Sequence, residues 1–187
     1  MRQSIVRVIL VLMICFCIGV GAFAQTDYHR LTVDDFRGIP QTNSGNVVAH
    51  TKCTIDFKYY PVDGSDDYRL RFNVRLILQR ERSWLDRRRI QSQKMLADVL
   101  KHEQGHYAIA FMEQQEVLRE AARTRFTSNY NAEANALFNR IHAKYQNLNA
   151  NYDEDTHNMQ DGTQQHSWDV YFQKRLAYMP PVDREGY

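Results

Sequence analysis

The chain has 187 residues, of which 43% are hydrophobic and 25% charged, with a formal net charge of +2. That length fits one folded unit rather than a string of domains. The two surplus positive charges belong to Arg2 and Arg7, so the chain from Gln25 onward is neutral. A bulk electrostatic attraction to nucleic acid is excluded.

Met1–Ala24 reads as a secretory signal peptide. Arg2 and Arg7 give the charged start, Val8 to Ile18 is an uncharged apolar run, and Ala22-Phe23-Ala24 is a small-residue cleavage site before Gln25. The run is roughly half the ~20 residues that a bilayer span needs, so no stable membrane insertion is expected after cleavage. Cys15 and Cys17 lie inside the run without the small residue that precedes a lipoprotein cysteine. Cys53 then stands alone, has no internal disulfide partner, and is expected to be a buried, apolar-like strand residue. The expected organisation is a signal peptide followed by one domain over 25–187, exported to the periplasm or beyond.

Leu31 to Pro40 has apolar anchors and a Gly/Pro stop, and Gln41 to Asn46 is a polar loop. Cys53, Ile55, Phe57 and Tyr59 then alternate with polar residues, as do Tyr68, Leu70, Phe72, Val74, Leu76 and Leu78. This period of two predicts two strands with one buried face each. Pro61 to Asp67 is turn chemistry and makes them an antiparallel hairpin. Arg80 to Arg89 reads as a solvated connection with Trp84 as a core anchor. From Gln91 to Phe126 the period becomes helical, with Met95, Val99, His102, His106, Ile109 and Glu113 on one stripe. A second helix is expected over 131–149, a polar loop over 151–162, and a third helix over 163–176 capped by Thr163. The tail after Met179 reads as irregular.

The chemistry lies in His102-Glu103-Gln104-Gly105-His106. Two histidines four apart on a helix share a face, and their imidazoles can bind one zinc ion at about 2.0–2.1 Å. Glu103 beside them is placed to act on water rather than on the ion, the H-E-x-x-H arrangement of zinc proteases. Glycine inside a helix costs ~1 kcal/mol relative to alanine, so Gly105 implies a close approach, by a sheet edge or a substrate backbone. A catalytic zinc site needs a third protein ligand. Glu113 is about 10 Å along the axis from His106, too far to share the ion. The richest remaining segment is Tyr152 to Asn158. It offers His157 as third ligand, with Asp153 next, and Tyr152 as a hydrogen-bond donor to a developing oxyanion.

These pieces together resemble a bacterial family of unknown function described as predicted secreted zinc-dependent proteases. The resemblance rests on Leu31 to Gly38, Ser83-Trp84, Leu100 to Tyr107, and Tyr152-Asp153 with Thr156, His157 and Trp168, and it covers nearly all the chain after residue 24. It implies a zincin-like core and export. The family pattern puts a histidine two residues after the threonine, where this chain has Asn158 and carries His157 one place earlier. It also puts acids after the second helical histidine, where Ala108 and Phe111 stand.

The expected fold is α+β, a small antiparallel sheet packed on a long helix bearing the motif, with further C-terminal helices. The expected function is a periplasmic or secreted zinc metallopeptidase acting on a peptide or protein substrate. Glu103 and Tyr152 are catalytic, and His102, His106 and His157 hold one Zn2+. Two alternatives stay open: an inactive envelope binding module of the same fold, and a zinc amidase acting on a cell-wall linkage.

Overall fold

The computed structural model describes residues 28–62 and 68–178. The segment read as a signal peptide, most of the Pro61–Asp67 turn and the tail from Met179 lie outside the described residues.

Among the described residues four strands and three α-helices make an α+β fold. Strands β2 (Cys53–Pro61) and β3 (Leu70–Leu78) pair antiparallel, Cys53 opposite Leu78 and Phe57 opposite Val74. The alternation that predicted them also sets their faces: Leu70 and Val74 are buried, while Arg71 and Arg75 are exposed. Tyr68 was expected to open β3. Its backbone is left-handed (φ 46°), which a strand does not accommodate, and pairing begins at Leu70. A second ladder joins β1 (Ala49–His50) to β4 (Trp84–Leu85), with His50 opposite Trp84. Two-residue strands leave no readable alternation, so the sequence pattern gave no sign of them.

The segment expected to be a solvated connection keeps Arg80, Arg82, Arg87 and Arg88 exposed, and it is also tied into the fold. Arg80 pairs at 2.8 Å with the buried Asp35. Arg88 pairs with Asp86, and Arg89 donates to the Val47 carbonyl. Trp84 is buried, as an anchor should be. Cys53 is half-buried, and burial pushes its thiol up to about 12, leaving it protonated and inert.

Helix α1 (Gln93–Arg123) starts at Ser92, whose hydroxyl accepts from the Met95 amide. It carries two apolar faces. Ala108, Ile109, Met112 and Val117 join Leu70 and Val74 in one buried cluster. Val99, Tyr107 and Phe111 join Leu31, Phe36, Val48, Ala49 and Leu85 in another. The motif helix is therefore held from both sides, which fixes its rotation.

Helix α2 (Tyr130–Thr156) is longer than its sequence suggested. The segment after Asn149 is acidic and was expected to be a loop. Yet Tyr152 and Thr156 extend the buried stripe of Ile141 and Tyr145 by about three further turns. Glu154 and Asp155 ride on the outer face. The helix stops where His157, Asn158 and Met159 are all left-handed (φ 47°, 51° and 75°). Helix α3 (Gly162–Ala177) follows, and its cap is Asp161, not Thr163: the Asp161 carboxylate accepts from the Thr163 and Gln164 amides. Among the described residues no helix is long and apolar enough to cross a membrane.

Candidate metal centre

On α1, His102 and His106 stand one turn apart with their Nε2 atoms 3.2 Å from each other. Asp153, on the last turns of α2, completes a triangle: its Oδ1 is 3.4 Å from His102 Nε2 and 3.2 Å from His106 Nε2. Four ligand atoms arranged tetrahedrally about 2.0–2.1 Å from one ion are about 3.3 Å apart. The three atoms already have that spacing. Among the described residues this is the one group of three ligand-type side chains whose donor atoms converge.

Each imidazole is oriented by an amide on its far side. His102 Nδ1 lies 3.2 Å from Gln165 Oε1, and His106 Nδ1 lies 2.8 Å from Asn149 Oδ1. An amide oxygen accepts only, so both Nδ1 atoms carry the proton and both Nε2 atoms face inward. The centre is thus a convergence of electron pairs that calls for a cation. Without a metal a proton serves: although burial opposes it, Asp153, with Glu103 and Asn149, holds His106 up at about 9. Burial likewise acts against the Asp153 charge, but the two imidazoles hold that carboxyl well below its ordinary range.

Glu103 is 3% exposed, and its Oε2 is buried with no hydrogen-bond partner among the described residues. A carboxylate oxygen left unsatisfied in this way costs stability unless something else occupies it. It borders a cavity of about 120 Å³ shared with His102, His106 and Asp153. The far wall is Val47 to His50, with Asn158 and Met159 at the end of α2. His50 is held below its ordinary value by burial and by His106 and Lys52, against the pull of Glu103 and Asp153. A groove of about 540 Å³ opens next to it, between His50–Ile55 and helices α1 and α2.

Three expectations change. Asp153, and not His157, meets both imidazoles. His157 is the exposed left-handed residue that ends α2, so its side chain leaves the helix face that Asp153 occupies. Tyr152, expected as an oxyanion donor, is fully buried, and its hydroxyl lies 3.0 Å from the His102 carbonyl and 3.1 Å from Gln165 Oε1 rather than in the cavity. Its ring stacks on His102 with centroids 4.8 Å apart. Gly105 does admit a close neighbour, but the neighbour is this Tyr152 ring, into which a Cβ would run. The sequence reading passed over Gln165 and Asn149, since polar helix residues carry no distinguishing signal.

A scan against protein families matches residues 32–162 to bacterial proteins of unknown function (DUF922). The chain belongs to that family. No curated protein and no solved structure matches it. The family match spans β1 to β4, α1 and α2, and so includes His102, Glu103, His106 and Asp153, while Gln165 lies just beyond it.

Proposed function

We propose that this protein is an exported zinc-dependent hydrolase of peptide bonds, with a zincin-like centre in which His102, His106 and Asp153 hold the ion and Glu103 is the general base. The observation that carries the reading is the triangle of two Nε2 atoms and one carboxylate oxygen with tetrahedral spacing, beside a buried carboxylate whose Oε2 has no hydrogen-bond partner among the described residues. Zinc in such a setting acts as a Lewis acid toward a carbonyl and acidifies water.

The chain's own groups supply the rest. Asn149 and Gln165 hold the imidazoles edge-on to the centre. Val47 to His50 and Met159 narrow the cavity and limit bulk water. Glu103 Oε2 takes the proton of the attacking water as its oxygen bonds to the carbonyl carbon. As the carbon–nitrogen bond breaks, Glu103 returns that proton to the amine. The products are a carboxylic acid, whose remaining proton passes to the amine or to solvent, and the released amine, and Glu103 ends as it began. The adjoining groove along His50–Ile55 suits an extended chain better than a compact ligand.

Metal analysis and peptide hydrolysis test the reading. The purified chain lacking Met1–Ala24 is expected to hold about one zinc, lost in His102→Ala and Asp153→Asn and kept in His157→Asn. Hydrolysis of a mixed peptide library should vanish in Glu103→Gln while the zinc stays. Full zinc content in Asp153→Asn would sink the ligand assignment. A zinc-loaded wild type that cleaves no peptide would favour a binding module, and cleavage of peptidoglycan fragments alone would favour an amidase.

A further inference from the structure

Helix α3 sends one buried polar side chain to the centre, and that side chain is itself held. Gln165 is buried, with Oε1 toward His102 Nδ1 at 3.2 Å. An amide in that position could face either way, since its oxygen and nitrogen have the same shape. Asp169, one turn later on α3, removes the choice. Its Oδ1 lies 3.0 Å from Gln165 Nε2, and a carboxylate only accepts. Its other oxygen, Oδ2, forms an ion pair with Lys101 Nζ at 2.5 Å, which anchors the carboxylate.

The hydrogen-bond count closes around this arrangement. One Gln165 N–H goes to Asp169 and the other to the Tyr152 oxygen at 2.9 Å. The single Tyr152 hydroxyl hydrogen has two acceptors in reach, the His102 carbonyl at 3.0 Å and Gln165 Oε1 at 3.1 Å, and with either one Gln165 Oε1 keeps a lone pair for His102. The Gln165 carbonyl is left to accept, and the facing group is His102 Nδ1. The proton of neutral His102 is thereby assigned to Nδ1. A free histidine in water prefers its proton on Nε2, so the surroundings reverse the intrinsic preference.

We propose that Lys101, Asp169 and Gln165 form a positioning relay that holds His102 in its Nδ1-protonated tautomer and so presents the Nε2 electron pair to a divalent cation. The relay deepens the zinc reading given above and rests on it for the identity of the cation. Gln165 and Asp169 touch neither substrate nor ion; they act through His102. Groups that orient a ligating histidine typically change metal affinity by about 10- to 100-fold when lost.

Nitrogen-15 NMR of the metal-free chain at neutral pH reads the tautomer directly, and zinc titration against a competing chelator reads affinity. Wild type is expected to show His102 protonated at Nδ1. Gln165→Leu should shift the proton to Nε2 and weaken zinc binding by about 10- to 100-fold. Asp169→Asn, nearly isosteric, frees Gln165 to turn over and should give mixed tautomers with a smaller loss. Circular dichroism identifies any variant that has not folded, and Asp169→Asn then decides alone. An unchanged tautomer and a zinc affinity within about twofold of wild type in the folded variants would overturn the relay. A wild type with His102 protonated at Nδ1 but no zinc affinity would instead overturn the zinc reading and leave the relay standing.

Discussion

Gly105 sits on the helix face where the Tyr152 ring lies against α1, and there is no room for a methyl group there. Alanine would gain about 1 kcal/mol of helix propensity. Overpacking a filled site costs about 1–3 kcal/mol, and here the obstacle is a fully buried ring that cannot swing away. Gly105→Ala is therefore expected to lower stability by roughly 1–2 kcal/mol in urea denaturation, in spite of the better helix former. The His106–Asp153 pair gives a pH signature at the same scale. His106 is raised from 6.5 to about 9, so in the metal-free protein its contribution is complete below pH 6.5 and is lost as pH rises through about 9. Asp153 is lowered from 3.8, so its contribution is present above that pH and is lost on acidification. The melting temperature of the metal-free chain should accordingly fall between pH 6.5 and 9.5, and Asp153→Asn should flatten that fall. A fall of equal size in the variant would show that the pair is not its source.

The α2–α3 junction is the element on which the centre depends. Three consecutive left-handed residues without a glycine each cost of order 1–3 kcal/mol unless the surroundings enforce them. The enforcement is visible: the Asn158 amide returns to the Asp153 carbonyl, the Asp161 amide to the Thr156 carbonyl, and Asp161 caps α3. Removing the cap in Asp161→Ala should cost about 1 kcal/mol, while Thr163→Ala should cost much less, because the Asp161 carboxylate does the capping. Equal losses in the two variants, measured by thermal unfolding, would count against that assignment. This junction was also the least legible part of the sequence. The hairpin and α1 declared themselves through long, regular periods that local chain geometry imposes. At Asp153, Glu154 and Asp155 the charge pattern resembled a loop, and only the burial of Tyr152 and Thr156 carries the helix onward. Had the stripe been followed from Ile141 and Tyr145, Asp153 would have come out one residue beyond it, on the helix.

For the molecule as a whole, the centre ties α1 to the end of α2, and α3 backs it through Gln165. A cation bound only by the folded state stabilises by mass action, about 2.7 kcal/mol at a free concentration 100 times its dissociation constant. For a chain of this size each kcal/mol shifts melting by about 2–4 °C. Saturating zinc is therefore expected to raise the melting temperature by roughly 5–11 °C, and a chelator should reverse the rise. Asp153→Asn should remove most of the shift, whereas His157→Asn should preserve it. The sequence by itself determined the α+β class, the hairpin, the motif helix and the shared face of His102, Glu103 and His106. Those features follow from spacing within one element, where helix pitch and strand pleat leave little freedom. The third member of the triangle, the fate of Tyr152 and the proton on His102 were decided only when α2 and α3 packed against α1. Each of them depends on the rotation and end point of one helix relative to another, which residue spacing along the chain does not encode.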